Sequence, residues 1–397
     1  MHRIPHARNQ TVGDRQPVLL MHGVLASSAQ FVEMGPDNGL AFILADEGYD
    51  VWLGNARGNS YSQKHDTYSP DDLKFWDFSW HEIGLYDLRA MIDFILETTS
   101  RENMFYVGYS QGTTAAFVLM SAVPSYNHKI KIMIFMGPVA FLSHTNSQFL
   151  RALEPINNKF QLPLVVLGGF EFAPREVYFK KFGQNVCLEE AKYKQLCDNI
   201  VFLICGHDSR NFNETILPVI LSNIPDRAST KMYHHWAQLV ASKSFRDYDY
   251  GPQYNMEQYM NSTPPNYNLR EVKARVALMY STNDVMASVM DVDDLQEKLP
   301  NVVENYEVPS PDFNHVDFIW STEAKSLVYS KLLEFLKKYR NVYSTESHVP
   351  RKRMKNNIKQ HTSGQLRHLN PEEDEHHSLG NSLHSMDKHD SHHPAGF

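Results

Sequence analysis

The stretch Met104-Phe105-Tyr106-Val107-Gly108-Tyr109-Ser110-Gln111-Gly112-Thr113-Thr114-Ala115-Ala116-Phe117-Val118-Leu119-Met120 decides how the rest of the chain is read. The apolar run at 104–107 suits a buried strand, and residues 113–120 read as a helix of small and apolar residues. Between them lies a Gly-x-Ser-x-Gly turn, centred on Ser110. Strand, tight turn and helix in that order are the context of a nucleophile elbow. Such a turn holds its serine in a strained conformation, and side chains at 108 and 112 would collide with neighbouring backbone. It lifts the hydroxyl to the sheet edge, with the positive end of the helix beneath it. The five-residue pattern alone arises by chance in roughly one chain in ten of this length, so its partners decide the matter.

At 397 residues, with 42% hydrophobic and 12% aromatic content, the chain has enough apolar surface for one large domain or two ordinary ones. The formal charge is −8, and residues 1–344 hold 31 Lys and Arg against 39 Asp and Glu. This balance gives no nucleic-acid footprint. No apolar run approaches the roughly 18 residues of a membrane span. The opening Met1-His2-Arg3-Ile4-Pro5-His6 is polar and has no apolar h-region, so it reads as no secretory signal. Three cysteines, Cys187, Cys197 and Cys205, fall within nineteen residues. Their number leaves open one disulfide with a free thiol, or three thiols. Asn-x-Ser/Thr sequons at Asn9, Asn213 and Asn261 matter only if the chain enters the secretory pathway.

Outward from Ser110 the chain alternates strand and helix. Residues 17–21 form a strand candidate ending in His22-Gly23-Val24, the place for a loop that offers backbone N–H groups to an oxyanion. The amides of Val24 and Gln111 are the natural pair. A helix at 39–47, a strand at 49–53, an amphipathic helix at 83–96 and a strand at 132–136 follow. Arg57, in the polar loop 54–60, reads as structural, and Trp76, Phe78 and Trp80 read as core. This rhythm predicts a mostly parallel α/β sheet with helices on both faces. Residues 145–268 break it and read as an inserted cap over the carboxyl edge of the sheet. Their apolar pieces at 162–167 and 200–204 suit either cap core or the inner face of a lid. Strands at 276–280 and 302–308 and a closing helix at 324–339 resume the pattern. From about 345 the composition turns polar and holds nine of the twenty histidines, which reads as a solvated disordered tail rather than a metal site.

Ser110, an acid and then a histidine is the chain order of α/β-hydrolases. Asp284 directly follows the strand at 276–280, and His315 lies in the loop before the closing helix. Asp291, Asp293 and Asp317 are rival acids, but none follows a buried-type strand so closely. In this arrangement His315 takes the serine proton and Asp284 holds the imidazole tautomer. No cofactor or metal is called for.

With these residues in hand, the chain resembles the acid lipases of animals, the group of gastric lipase, lysosomal acid lipase and insect digestive lipases. The resemblance is carried by the segments 22–28, 48–59, 75–82, 108–112 and 314–320, and runs unbroken over about 2–340. It implies the α/β-hydrolase fold, with core at 1–144 and 269–343, a cap at 145–268 and a lid near 176–205. It implies Ser110 as nucleophile, Asp284 as acid, His315 as base, and Val24 and Gln111 as the oxyanion hole. It further implies a Cys187–Cys197 disulfide with Cys205 free, glycosylation at Asn213 and Asn261, and a secreted or lysosomal location. Family members carry a signal peptide and a segment forming the first strands ahead of the position of Met1, so the first edge strands are expected to be missing. The positions of Tyr109 and Ser281 more often hold His and Gly in the family, and the histidine-rich tail has no counterpart there. The expected function is hydrolysis of acylglycerol or sterol esters at a lipid–water interface. A soluble esterase of small substrates and an inactive lipid-binding homologue are the alternatives.

Overall fold

The computed structural model describes residues 1–341 except 9, 12, 148–149, 152–170, 173–211 and 213. Its strands are β1 (His2–Ile4), β2 (Pro17–Met21), β3 (Asp50–Leu53), β4 (Met104–Tyr109), β5 (Ile130–Met136), β6 (Glu171–Phe172), β7 (Ala228–Ser229), β8 (Val276–Tyr280) and β9 (Val302–Glu307). Seven of them form one sheet in the order β1-β3-β2-β4-β5-β8-β9, while β6 and β7 pair separately. Every neighbour in the large sheet is parallel except β1 with β3.

Strands β2, β4, β5 and β8 are buried along their whole length. That is why they read as continuous apolar runs rather than alternating ones. Their side chains nonetheless divide by face. Leu19, Met21, Met104 and Tyr106 join one core cluster with Ile92, Ile95, Phe117 and Leu119. Val18, Leu20, Phe105 and Val107 join another with Leu40, Leu44, Leu332 and Leu336. Helices Arg89–Thr99 and Gln111–Ala122 therefore cover one face, and Leu40–Asp46 and Ser330–Tyr339 the other.

Three features differ from the sequence expectation. The edge of the sheet beside β3 is occupied rather than bare, because His2–Ile4 pairs antiparallel with β3. The segment is too short and polar to carry a strand pattern. It is held by main-chain pairing and by the Arg3 guanidinium, which donates to both carboxylate oxygens of Asp50 at 2.8 and 2.9 Å. The helix expected from 83 begins at Trp80, after Ser79. Ser79 and Glu82 form a reciprocal capping box there, a Ser-x-x-Glu signal that was present in the sequence. The third difference is π-helical winding within two helices, at Ile83–Leu88 and Lys325–Tyr329, which apolar spacing does not reveal.

Between β5 and β8 the described residues add no strand to the large sheet. They supply the helices Leu217–Asn223, Thr230–Ser242 and Pro252–Tyr259. The lid segment near 176–205, Cys187, Cys197, Cys205, Asn213 and the tail from 344 lie outside the described residues. Among the described residues no helix is long and apolar enough to cross a membrane.

The π-helical turn brings Gly84 against the helix that follows β4. A Cβ at Gly84 would stand 2.5 Å from the Ala115 carbonyl oxygen and 2.8 Å from Val118 Cβ. Gly84→Ala is therefore expected to lower the unfolding free energy by about 1–3 kcal/mol, an overpacking cost read by urea denaturation.

Candidate active site

The turn after β4 puts Ser110 at φ 52°, ψ −120°, a region that L side chains rarely occupy. The backbone can turn this sharply because its neighbours are small. A Cβ on Gly112 would lie 2.4 Å from the Met21 carbonyl oxygen, and one on Gly108 would lie 3.0 Å from the Gly112 backbone. Ser110 N–H donates to the Met136 carbonyl at 3.0 Å, tying the turn to β5.

The two distant partners predicted for Ser110 are brought to it. His315 Nε2 lies 2.8 Å from Ser110 Oγ, and His315 Nδ1 lies 2.7 Å from Asp284 Oδ2. All three residues are buried. A carboxylate only accepts, so Nδ1 carries the imidazole proton and Nε2 is left to accept from the serine hydroxyl. Asp284 Oδ1 is engaged separately, accepting from the Met286 and Ala287 amides at 2.8 Å each. The acid is thus fixed on both oxygens.

The loops that carry these side chains are bound to one another. Asn283 Nδ2 donates to the Asp312 carbonyl at 3.0 Å, joining the acid loop to the histidine loop. Tyr109 donates its hydroxyl to the His315 carbonyl at 2.9 Å, and its ring lies beside the imidazole at 5.2 Å between centroids. Of the rival acids, Asp317 accepts from Asn314 N at 2.8 Å and shapes the turn before His315. Asp291 accepts from Ser288 Oγ and lies 3.0 Å from His144 Nδ1. Asp293 is exposed. Arg57 is structural as expected, with its guanidinium on Asp87 at 2.6 and 2.8 Å. Ser281 leaves the acid turn intact, since Asp284 N–H still reaches its carbonyl at 3.3 Å. Its own buried hydroxyl has no hydrogen-bond partner among the described residues.

The loop after β2 is pinned beside this relay. His22 Nε2 accepts from Ala56 N at 3.1 Å, so its proton sits on Nδ1 and is donated to the Gly23 carbonyl at 2.7 Å. Burial pushes the His22 pKa below its ordinary value and keeps the ring neutral. Gly23 N–H is used by Gln30 Oε1 at 3.1 Å. Among the described residues the next amide, Val24, has no protein acceptor, and neither has Gln111 at the first turn of its helix. Val24 and Ser110 border the same cavity, closed over by Leu142, Leu150, Tyr233, Trp236 and Met286. It holds about 10 Å³ of free space, room for roughly one water molecule. The indole of Trp236 also donates to Gln111 Oε1 at 3.3 Å, linking the roof to the residue after the serine.

Sequence reasoning missed Tyr109 as a support, Tyr233 and Trp236 as roof, and Gly137. Gly137 carried a signal, since it ends a buried strand at the edge where the other site residues gather. At φ 57° it faces His315, and a Cβ there would lie 2.8 Å from Cε1 and 3.3 Å from Asp284 Oδ2. Trp236 had none, because an aromatic on a helix reads as core.

A serine, an imidazole and a carboxylate in line, with two free amides nearby, is an arrangement fit for acyl transfer. Comparison with known proteins agrees with that chemistry. The alpha/beta hydrolase fold family matches residues 16–322. Lipase 3 of Drosophila melanogaster is 41% identical over 340 residues, covering 85% of this chain and 86% of that protein. Gastric triacylglycerol lipase of Homo sapiens is 39% identical, with 85% and 84% covered. This chain belongs to the acid lipase family of α/β hydrolases. Another relative of this acid lipase, human lysosomal acid lipase/cholesteryl ester hydrolase, is 37% identical over 346 residues, with 85% and 84% covered. A crystal structure from Sulfolobus solfataricus, 13% identical, shares the fold at a TM-score of 0.54, covering 82% of this chain and 86% of its own.

Two outcomes follow for this acid lipase. Gly137→Ala would push the imidazole off its line, and kcat is expected to fall by roughly 10²-fold with the circular dichroism spectrum unchanged. The second concerns His235, on the roof helix Thr230–Ser242 and stacked on Trp80 at 3.7 Å. Burial, only partly offset by the Arg246 carbonyl, holds its pKa well below the ordinary value. The folded state thus binds fewer protons here than the unfolded chain. Its contribution to stability is full above about pH 6.5 and is lost as pH falls below that value. Urea melts from pH 7.5 to 5 are expected to show falling stability with acid, and a shallower slope in His235→Asn.

Proposed function

We propose that this enzyme hydrolyses the carboxylic ester bonds of acylglycerols or sterol esters through an acyl-enzyme on Ser110. The hydrogen-bonded line from Ser110 through His315 to Asp284, beneath an apolar cavity, carries this reading. Ser110 Oγ attacks the ester carbonyl as its proton passes to His315 Nε2. The Val24 and Gln111 amides receive the oxyanion, and Asp284 stabilises the imidazolium. When the intermediate collapses, the C–O bond to the alcohol breaks and His315 returns the proton to the leaving oxygen. Water then attacks the acyl-enzyme, with His315 as base, and frees the fatty acid and the serine.

The names of the relatives support the substrate class, since one is a triacylglycerol lipase and another a cholesteryl ester hydrolase. The same reading assigns the cap to 145–268 and the lid to about 176–205, and places the substrate at a lipid–water interface. Secretion or lysosomal delivery goes with it, as do a Cys187–Cys197 disulfide and glycans on Asn213 and Asn261. Asn261 is exposed, and its carboxamide oxygen accepts from the Thr263 amide at 3.2 Å and hydroxyl at 3.3 Å. One other reading is a soluble esterase of small substrates.

Both readings are tested by titrating the acid released from emulsified triolein and from a short soluble ester. A lipase favours the emulsion, whereas activity on the soluble ester alone supports the alternative. Ser110→Ala is expected to lower kcat/KM by about 10⁴-fold or more on either substrate. A variant that kept most of the activity would remove Ser110 from the mechanism.

A further inference from the structure

A second recess, roomier than the cavity above Ser110, lies among the described residues. It holds about 300 Å³ and is lined by residues of four segments that the catalytic chemistry does not use. Lys243 follows the helix Thr230–Ser242, Arg270 lies in the short turn Leu269–Glu271, and Lys298 ends the helix Val289–Lys298. All three are exposed and border this recess. Among the described residues none has a carboxylate within 4 Å, although the chain carries a net charge of −8. Elsewhere its cations are repeatedly paired, as Arg3 is with Asp50 and Arg57 with Asp87.

Helix ends explain part of this. A lysine after a helix complements the carbonyls of its last turn, and Lys243 and Lys298 both hold such positions. That account does not reach Arg270, and it does not require the three to meet at one recess. Three aromatic rings, Phe141, Phe245 and Tyr267, form much of the remaining wall, with Ser244, Asn266, Asn268 and Leu269 completing it. Phe245 packs on Tyr267 at 4.7 Å and on Phe141 at 6.4 Å, and Lys298 Nζ lies 5.2 Å from the centre of the Phe141 ring. The Tyr267 hydroxyl is turned to His81 at 2.6 Å, so its ring and not its polar end serves as wall. Asn268 spends its carboxamide oxygen on the Arg270 amide at 3.2 Å, leaving its NH₂ as the group it can offer. The recess therefore presents cations and a donor above an aromatic floor.

We propose that this recess binds a small amphiphilic anion, a carboxylate or phosphate head among Lys243, Arg270 and Lys298 with its apolar body on Phe141, Phe245 and Tyr267. Volume and lining suit such a ligand, since pockets of this size are mostly apolar with a few placed polar groups. The site is separate from the Ser110 cavity, though joined to it through the chain, because Leu142 of that cavity follows Phe141. It stands whether or not the substrate is a lipid.

Calorimetric titration of the full chain with octanoate, octyl phosphate and inorganic phosphate, all as monomers, tests it. The two amphiphiles are expected to bind at one site that the triple variant Lys243→Gln, Arg270→Gln, Lys298→Gln weakens by about tenfold or more, while Ser110-dependent activity persists. On the wild-type chain, raising sodium chloride from about 0.05 to 0.5 M is expected to weaken binding several-fold by screening the exposed charges. Amphiphile binding unchanged in the triple variant or by salt would overturn the proposal. So would no binding at all, or inorganic phosphate bound as tightly as octyl phosphate, which would leave the aromatic floor without a role.

Discussion

One backbone turn sets the terms for the rest of the molecule. Ser110 is held at a positive φ between a buried central strand and the helix it starts. Such a conformation costs of the order of 1–3 kcal/mol and persists only where the surroundings over-determine it. Here the surroundings are close backbone contacts on both sides. Gly112 has no room for a side chain against the Met21 carbonyl, and Gly23 has little beside the Tyr109 ring and Ser110 Cβ. The Ser110 amide is anchored on β5. The serine hydroxyl is therefore presented by a turn built on the buried centre of the sheet.

Everything else in the site is arranged to meet that fixed point. Asp284 and His315 come from loops after β8 and β9, whose parallel pairing with β5 and with each other brings their ends to the same edge as Ser110. Hydrogen bonds between those loops keep the carboxylate and imidazole in line. Asn283 spans to the histidine loop, the Met286 and Ala287 amides hold the free oxygen of the acid, and Tyr109 holds the base by its own carbonyl. Tyr109, at a position where the family more often has His, is thus accommodated as a support. Ser281, where the family more often has Gly, is accommodated without a partner for its hydroxyl. The roof is built differently. Tyr233 and Trp236 border an apolar space with little room in it.

Much of this was legible in the sequence. Buried parallel strands appear as short apolar runs, and β2 and β8 begin and end where those runs do. The serine and the acid were legible because each follows such a run, and the histidine because it lies in the loop between the last strand and the closing helix. What escaped has identifiable causes. The strand at His2–Ile4 depends on pairing with β3 and on the Arg3–Asp50 ion pair, partners about fifty residues away that no local pattern encodes. The π-helical turns at Ile83–Leu88 and Lys325–Tyr329 leave no mark in the apolar spacing. The role of Trp236 follows from which side chain it faces, a fact of tertiary geometry. The recess around Lys243, Arg270 and Lys298 gathers segments that are each unremarkable in the linear chain.

The central claim is that one hydroxyl reacts because an imidazole, a carboxylate and two amides are already in place around it. A crystal structure of the chain after reaction with an alkyl phosphonate ester tests this directly. The account predicts a covalent bond from phosphorus to Ser110 Oγ, with the phosphonyl oxygen about 2.7–3.1 Å from both the Val24 and Gln111 amides and His315 still on Asp284. A phosphonate attached to another residue, or one on Ser110 whose oxygen points away from both amides, would contradict it.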